Sequence, residues 1–262
     1  MRQIAGRVAV VTGAGSGIGR AVSLELAARG ADLALVDIDE PGLAEVSAAV
    51  EATGRKASTH RVDVSSRTAM EALPQQVIAA HGSVHILVNN AGVTVNLPFV
   101  EQGMDDLEWI TGINYWGVMY GCRAFLPHLL EAEEGHIVNM SSSAGFTGLK
   151  GLGSYAATKF AVTGLSESLF VELAGSRVGI TCVHPGAVAT NILEAARMEP
   201  GHKQKMLKTF HYATSPEAAA RKIVRAVEKN RPKLVFCPDS RVLYLLKRIA
   251  PTGTLRLMRL FM

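Results

Sequence analysis

Short apolar runs rich in β-branched residues alternate with longer segments of helical periodicity over most of this 262-residue chain. Such an order predicts parallel strands, because parallel neighbours need a connection long enough to hold a helix. Seven strands are expected, at residues 7–11, 32–36, 56–62, 85–88, 136–140, 178–184 and 233–236. Helices are expected at 17–29, 41–53, 67–80, 105–131, 154–173 and 216–230. The pattern predicts an α/β fold, doubly wound, with a seven-stranded parallel sheet and helices on both faces.

The alternation is interrupted at residues 185–214, between a Pro-Gly pair and a helix start at Ser215-Pro216. Insertions of this length in a compact domain are usually functional. We therefore predict one domain over residues 1–237, with a lid at about 187–214, followed by an extension at 238–262. The chain length fits a single domain of this class.

Charge is unevenly distributed along the chain. Residues 1–200 hold 13 Lys and Arg against 20 Asp and Glu, whereas residues 201–262 hold 14 against 3. Two amphipathic pieces, at 242–249 and 254–261, interleave the basic residues with aliphatic ones. This is typical of a basic helix on an anionic membrane surface, and packing against another subunit explains it equally well. No nucleic-acid partner is expected, because the interleaved residues are not stacking aromatics.

The spacing of the cysteines and the first residues of the sequence bear on the cellular compartment of the protein. Cys122, Cys182 and Cys237 lie far apart, and the eight histidines are scattered, so no metal site is expected. Free thiols are typical of a reducing compartment. No secretion signal and no apolar span of membrane length are evident. We expect a cytoplasmic protein, with peripheral contact to the inner face of a membrane as an option for the tail.

A glycine-rich turn joins the first predicted strand to the first predicted helix. It satisfies G-x-x-x-G-x-G through Gly13, Gly17 and Gly19, with Ser16 and Ile18 in between. Glycines permit close approach to a pyrophosphate, and the helix N-terminus supplies N–H donors. An ordinary turn is the alternative, but the position between strand and helix favours dinucleotide binding and a fold of the Rossmann type.

Asp37 ends the second predicted strand, 24 residues after Gly13. A carboxylate at this place accepts hydrogen bonds from both hydroxyls of the adenosine ribose and repels a 2′-phosphate. The cofactor is therefore predicted to be NAD rather than NADP. A solvated aspartate at a strand end is the alternative, and Arg20 is the one nearby cation that could receive a phosphate.

Tyr155 and Lys159 are four residues apart, which places both side chains on one face of a helix. Tyrosine has a pKa of about 10 and is a poor base at neutral pH. A nearby ammonium and the positive charge of an oxidised nicotinamide would both favour the phenolate. Alone, this pair would usually be a coincidence.

In order and spacing, residues 5–237 resemble the short-chain dehydrogenase/reductase family. The matching stretches are residues 12–19, Asp63-Val64, residues 89–92, Asn114, residues 139–142, residues 155–159 and Pro185-Gly186. The resemblance implies an oxidoreductase that moves a hydride between a nicotinamide cofactor and an alcohol or ketone. Family members commonly form tetramers, so a homo-oligomer, dimer or tetramer, is expected.

The resemblance also implies four catalytic residues. Ser142 would hydrogen-bond the substrate oxygen, and Tyr155 would transfer the proton. Lys159 would lower the pKa of Tyr155 and hold the nicotinamide ribose, while Asn114 would position a water that links Lys159 to solvent. Motif alignment selects Ser142 over the serines on either side.

Further cofactor contacts follow from the same resemblance. The end of the third strand would border the adenine, the loop after the fourth would approach the riboses, and the loop after the sixth would meet the carboxamide. These residues are Asp63, Val64, Asn90, Ala91, Gly92, Pro185, Gly186, Val188 and Thr190.

Apolar residues dominate two loops expected to frame the substrate: Val95, Leu97, Phe99, Phe146, Leu149 and Leu152. They predict an apolar secondary alcohol or ketone of lipid, steroid or retinoid character, although the same residues could equally close the core. Two alternatives stay open. One is an NADPH-dependent 3-oxoacyl-carrier ketoreductase, and the other is a non-catalytic dinucleotide-binding scaffold.

Overall fold

A parallel sheet of seven strands forms the centre of the protein. The computed structural model describes residues 1, 3–190, 192, 196–199, 201 and 213–261, with Phe261 as backbone only. The sheet strands are β1 (Val8–Thr12), β2 (Asp32–Asp37), β3 (Ala57–Arg61), β4 (Ile86–Asn89), β6 (Gly135–Met140), β7 (Val178–His184) and β9 (Lys233–Val235). Their order is β3-β2-β1-β4-β6-β7-β9, and all pairs are parallel. The predicted sheet is confirmed.

Helices connect the strands and continue beyond them. They are α1 (Gly17–Ala28), α2 (Glu40–Glu51), α3 (Arg67–His81), α4 (Met104–Thr111), α5 (Gly117–Glu131), α6 (Gly153–Glu172), α7 (Pro216–Glu228), α8 (Pro238–Ile249) and α9 (Pro251–Phe261). Serine side chains cap α3 and α7, where Ser66 and Ser215 each accept a hydrogen bond from the backbone N–H three residues on. Such caps fix where the connecting loops end.

Alternation along β1 divides the core into two layers. Ala9 and Val11 belong to the apolar cluster that contains Leu26 of α1, and Ile223 of α7 lies in the same cluster. Val8 and Val10 face the other way, into the cluster that holds Leu73 of α3 and Phe125 of α5. Since neighbouring residues of a strand point to opposite faces, helices cover both sides of the sheet. This arrangement confirms the predicted doubly wound fold.

The connection direction reverses at β1, which lies between β2 and β4 in the sheet. From β1 the chain moves outward to β3 and then returns across the sheet to β4. Open α/β sheets bind ligands in the crevice at the carboxyl ends of the strands where the order reverses. The structure therefore places the candidate site at the ends of β1 and β4.

Some predicted boundaries are wrong. The helix predicted at 105–131 contains a π-helical turn, Gly112–Trp116, which separates α4 from α5. The tail helices begin earlier than the predicted amphipathic pieces, at Pro238 and Pro251. A second, two-stranded sheet pairs β5 (Val95–Asn96) with β8 (Arg197–Met198), which was not expected.

Most of the predicted lid at 187–214 falls outside the described residues, namely positions 191, 193–195, 200 and 202–212. Among the helices of the described part of the chain, none has both the length and the apolar character needed to cross a membrane.

Candidate active site

The glycine turn after β1 packs directly against the end of β4. Gly13 has φ +66°, and a Cβ there would lie 2.9 Å from the Cα of Ala91. Gly17 also has positive φ, at +53°. Beneath them, a Cβ on Gly19 would collide with the Gly13 carbonyl oxygen. Glycine is required at Gly13 and Gly19 because main chain occupies the space that a side chain would need.

Main-chain donors hold the Asp37 carboxylate at the mouth of the cleft. Its Oδ2 accepts a hydrogen bond of 2.8 Å from Gly15 N, and its Oδ1 accepts one of 2.7 Å from Ile38 N. Among the ion pairs of the described residues, none includes Asp37. Arg20 lies 4.0 Å from Glu45 instead. The carboxylate is thus oriented by the glycine loop and keeps its negative charge facing the cleft.

Thr12 and Asn90 tie the ends of β1 and β4 together. The Thr12 hydroxyl accepts hydrogen bonds from Asn90 N and Ala91 N, at 3.0 and 3.1 Å. The Asn90 side chain donates to the Thr12 carbonyl at 2.9 Å. These bonds fix the floor of the crevice in which a dinucleotide would lie.

The cleft runs from Asp37 to Tyr155. The predicted residues that line it are Gly13, Ser16, Gly17, Ile18, Asp37, Asp63, Val64, Asn90, Ala91, Gly92, Tyr155, Lys159, Pro185 and Thr190. The cleft is also lined by residues that were not predicted: Ile38, Val62, Val93, Ile113, Met140, Ser141 and Ile192. Most of these are apolar neighbours of motif residues, and only their adjacency in sequence could have indicated them.

Other predicted cofactor residues lie behind the cleft. Gly186 abuts the carboxylate of Asp239, which accepts a hydrogen bond from Ala187 N at 3.1 Å. Val188 is buried, and its strand-like bridge to Thr214 holds the backbone. Gly186 and Val188 are therefore held by protein groups, and the predicted contact of this segment with the cofactor stays a prediction.

Tyr155 and Lys159 project from α6 toward the end of β6. The Lys159 Nζ lies 5.7 Å from the centre of the Tyr155 ring and donates a 2.9 Å hydrogen bond to the Met140 carbonyl. The Tyr155 side chain is hydrogen-bonded to Ser142. The three predicted catalytic side chains therefore form one cluster at the inner end of the cleft.

Burial sets the protonation of this cluster. It lowers the pKa of Lys159 to about 8, because the ammonium loses its hydration. Burial also raises the pKa of Tyr155, and the hydrogen bond with Ser142 lowers it by a smaller amount. In the chain itself the net shift of the Tyr155 pKa is upward, because desolvation is its largest cause, and the predicted effect of Lys159 on this pKa stays a prediction.

Ser141 and Ser142 have different surroundings, although they are adjacent. The buried Ser141 hydroxyl donates to the Lys159 carbonyl at 2.9 Å and lies 3.0 Å from the Thr163 hydroxyl. The Ser142 hydroxyl accepts from Ala144 N at 3.1 Å and reaches Tyr155. Ser141 thus anchors α6, and Ser142 is the serine beside the tyrosine, in agreement with the motif alignment.

His184, which the sequence analysis did not select, supports Ser142 from behind. Its Nδ1 lies 3.0 Å from the Ser142 carbonyl oxygen. A carbonyl only accepts hydrogen bonds, so Nδ1 carries the proton and Nε2 faces the Cys182 sulfur at 3.4 Å as an acceptor. Burial lowers the pKa of His184 to about 4, so the ring stays neutral at pH 7.

Asn114 lies in the π-helical turn and is fully buried. Its side chain accepts from Val93 N at 2.8 Å and donates to the Val93 carbonyl at 2.9 Å. A Cβ on Gly92 would lie 3.3 Å from Asn114 Oδ1 and 3.4 Å from Lys159 Nζ. Asn114 therefore fixes the loop at Gly92 and Val93, which lies beside Lys159, and its predicted role toward a water stays a prediction.

The predicted substrate loops divide between core and surface. Val95 is fully buried in the core, whereas Phe99 is largely exposed beside Gly153. Phe146 packs edge-on against Tyr244 of α8, with ring centres 5.2 Å apart. The next residue, Thr147, lies 3.8 Å from the Met258 sulfur of α9. One loop predicted to frame the substrate thus packs against the C-terminal helices.

The three cysteines are free and buried. Within the described ranges, no group of three or more His, Cys, Asp or Glu side chains is placed to hold a metal ion.

Comparison with known proteins agrees with this geometry. The family described as short chain dehydrogenase matches residues 7–201. The chain therefore belongs to the short-chain dehydrogenase/reductase family, whose members bind nicotinamide dinucleotides, and it is an oxidoreductase of that family. The resemblance inferred from the motifs is confirmed.

Individual relatives cover nearly the whole chain. SadH of Mycobacterium tuberculosis, whose name describes it as an oxidoreductase, is 39% identical over 98% of this chain and 95% of its own. Epidermal retinol dehydrogenase 2 of Mus musculus is 34% identical over 97% of this chain and 81% of its own. A short-chain dehydrogenase/reductase of Burkholderia phymatum, solved in complex with NAD, has a TM-score of 0.89 at 32% identity and covers 95% of each chain.

Proposed function

We propose that the protein is an NAD-dependent oxidoreductase that interconverts apolar secondary alcohols and ketones. The observation that carries this proposal is a cleft lined by Tyr155, Lys159 and the Asp37 carboxylate, in which the Tyr155 side chain is hydrogen-bonded to Ser142. A scaffold without turnover would need no hydrogen-bonded Ser-Tyr pair next to a buried lysine.

The residues of the cleft fit an NAD molecule. The glycine loop lines the cleft, and Gly13 and Gly17 present no side chain to a pyrophosphate there. Asp37 offers two oriented oxygens to a ribose, and its charge opposes a 2′-phosphate. Lys159 lies where it can hold the second ribose. When bound, NAD supplies the hydride acceptor at C4 of its nicotinamide.

The proton chemistry belongs to the chain. The Ser142 hydroxyl donates a hydrogen bond to the oxygen of the substrate, where negative charge develops. Tyr155 takes the hydroxyl proton of the alcohol during oxidation and returns it during reduction. The Lys159 ammonium, together with the positive charge of the oxidised cofactor, offsets the burial that raises the pKa of Tyr155.

An apolar substrate is supported by the cleft wall beside the catalytic cluster. Val93, Ile113 and Ile192 line the cleft, and the Phe146 ring of a loop predicted to frame the substrate packs against Tyr244. The similarity to epidermal retinol dehydrogenase 2 favours a long apolar alcohol over a small polar one. Desolvating such a substrate is favourable, because apolar surface leaves water on both sides.

The first experiment is to record the absorbance of reduced nicotinamide with purified protein, apolar secondary alcohols, and either NAD or NADP. We expect turnover with NAD and much slower turnover with NADP. In Asp37→Asn the charge that opposes a 2′-phosphate is gone, so the preference for NAD should fall about tenfold or more. Asp39→Asn serves as the matched control. Turnover with NADP alone would instead favour the carrier-ketoreductase alternative.

The predicted assembly and location belong to the same proposal. Large apolar side chains are exposed on the π-helical turn and α6, at Trp116, Phe160 and Phe170. Such residues support a homo-oligomer, a dimer or tetramer. The free, buried cysteines favour a reducing compartment, the cytoplasm. Light scattering of the purified protein tests the assembly, and a monomeric mass at micromolar concentration would contradict it.

A further inference from the structure

The solvent face of α8 is apolar. Val242, Leu245, Leu246 and Ile249 follow the spacing i, i+3, i+4 and i+7, so they form one stripe along the helix. Each of them is between 40% and 81% exposed. The opposite face of α8 already packs on the domain through Tyr244. The stripe is therefore not the core-facing side of the helix.

The next helix, α9, also exposes apolar side chains. Its Thr254 is buried, and Met258 contacts the substrate loop. Leu255, Leu257 and Leu260 are between 44% and 80% exposed. We call the exposed apolar residues of α8 and α9 the tail face.

Basic residues accompany the tail face. After Asp239 the chain contains no acidic residue, and its cations are Arg241, Lys247, Arg248, Arg256 and Arg259. Arg241 and Arg248 are seven residues apart, so they lie along one edge of the α8 stripe. Within the part of the chain that the structure describes, none of these cations takes part in an ion pair.

We propose that the tail face docks on the surface of an anionic phospholipid bilayer. The exposed leucines, valine and isoleucine would enter the acyl boundary, and the flanking cations would meet the headgroup phosphates. Charge argues against a second copy of this chain as the occupant. A two-fold contact would bring the same unpaired arginines of both copies together.

Docking has a consequence for the catalytic site. Phe146 and Thr147 of the substrate loop touch α8 and α9, at Tyr244 and Met258. A docked molecule therefore holds this loop at the bilayer, where apolar alcohols partition. This consequence rests on the proposed function, whereas docking itself does not.

Flotation of the full-length protein with vesicles tests the proposal without any substrate. One set of vesicles is phosphatidylcholine alone, and the other is equimolar phosphatidylcholine and phosphatidylserine. We expect binding to the anionic set only, weakened at high salt. Leu245→Ser/Ile249→Ser and Arg256→Gln/Arg259→Gln should each reduce the bound fraction at least tenfold.

Control variants remove charge or apolar surface elsewhere. Arg225→Gln/Lys229→Gln neutralises two exposed cations at the end of α7, and Val171→Ser removes an exposed apolar side chain of α6. Both should bind vesicles like the parent chain, and all variants should keep the parent melting temperature. Equal binding to both vesicle sets, equal loss in the controls, or no binding at all would overturn the proposal. So would tail-face variants that change only the subunit number.

Discussion

The two sides of the catalytic cleft are built differently. On the cofactor side, main-chain N–H groups hold the side chains in place. Gly15 N donates to the Asp37 carboxylate, and Asn90 N donates to the Thr12 hydroxyl, which links the ends of β1 and β4. On the substrate side, side chains from distant elements meet, such as Phe146 and Tyr244. Backbone geometry tolerates few sequences, whereas side-chain packing tolerates many. The cofactor side therefore defines the chemistry, and the substrate side is free to define the molecule that is transformed.

The catalytic cluster should show the largest effect, because it joins the two sides. In Tyr155→Phe the proton carrier is gone, while the ring and its packing remain. We expect kcat to fall by about 10²–10⁴ and the Kd for NADH to stay the same. Initial rates and NADH fluorescence titrations measure the two quantities. The control is Tyr120→Phe, on a ring that stacks against Trp116 outside the cleft. An unchanged kcat in Tyr155→Phe would disprove the proposed mechanism.

The buried Lys159 should lower the free energy of unfolding, because its ammonium group loses hydration in the folded protein. Below pH 8 the lysine is charged in both states, so the folded protein bears the full cost of burying it. Between pH 8 and 10.5 the unfolded chain binds the proton and the folded one does not, so stability rises with pH. Lys159→Met should therefore be more stable than the parent by about 1–3 kcal/mol at pH 7, with the difference shrinking toward pH 10.5.

Urea unfolding of both chains at several pH values checks this trend. Lys229→Met, at an exposed position after α7, is the matched control and should show no such pH dependence. A stability difference between Lys159→Met and the parent that stays constant across this range would contradict the assigned cause.

A comparison of two glycines distinguishes the cost of a positive φ from the cost of placing a Cβ against neighbouring backbone. Gly13 and Gly54 have φ of +66° and +76°, but only Gly13 has backbone in the way of a Cβ. Gly54→Ala should cost about 1–2 kcal/mol of stability and leave NAD binding intact. Gly13→Ala should cost more, and it should weaken NAD binding about tenfold or more because the loop must move off Ala91. Equal Kd values for NAD in both variants would show that the close approach is unimportant.

The same contrast explains what could be predicted from the sequence. The sheet, its helices and the cleft residues around Gly13 and Asp37 were predictable, because periodicity and tight turns restrict residue type locally. The backbone at Gly186 and Val188 contacts Asp239 and Thr214, which come from later segments of the chain. Contacts between distant segments leave no local pattern.

His184 and the π-helical turn illustrate the same limit. The bond from His184 to the Ser142 carbonyl depends on how β6 and β7 pair, and nothing near His184 in sequence indicates it. Asn114 was expected in a regular helix, but it lies in a π-helical turn, where backbone hydrogen bonds join residues five apart instead of four. Its side chain hydrogen-bonds the Val93 backbone. The amphipathic tail was visible as a pattern, but which side faces solvent followed only from the packing of Tyr244.

The smallest effect is expected on the substrate side, where the two faces of α8 can be compared directly. Tyr244 packs on Phe146, whereas Ile249 is 81% exposed on the opposite face. An edge-on aromatic pair contributes about 0.5–1.5 kcal/mol, so Tyr244→Ala should raise KM for an apolar alcohol by about 2- to 10-fold. Ile249→Ala should leave KM unchanged in the absence of vesicles. Both variants should keep the parent Kd for NAD, because neither side chain reaches the glycine loop. If Tyr244→Ala weakened NAD binding as much as substrate binding, the two sides of the cleft would be coupled. The proposal that one side sets the chemistry and the other selects the substrate would then be wrong.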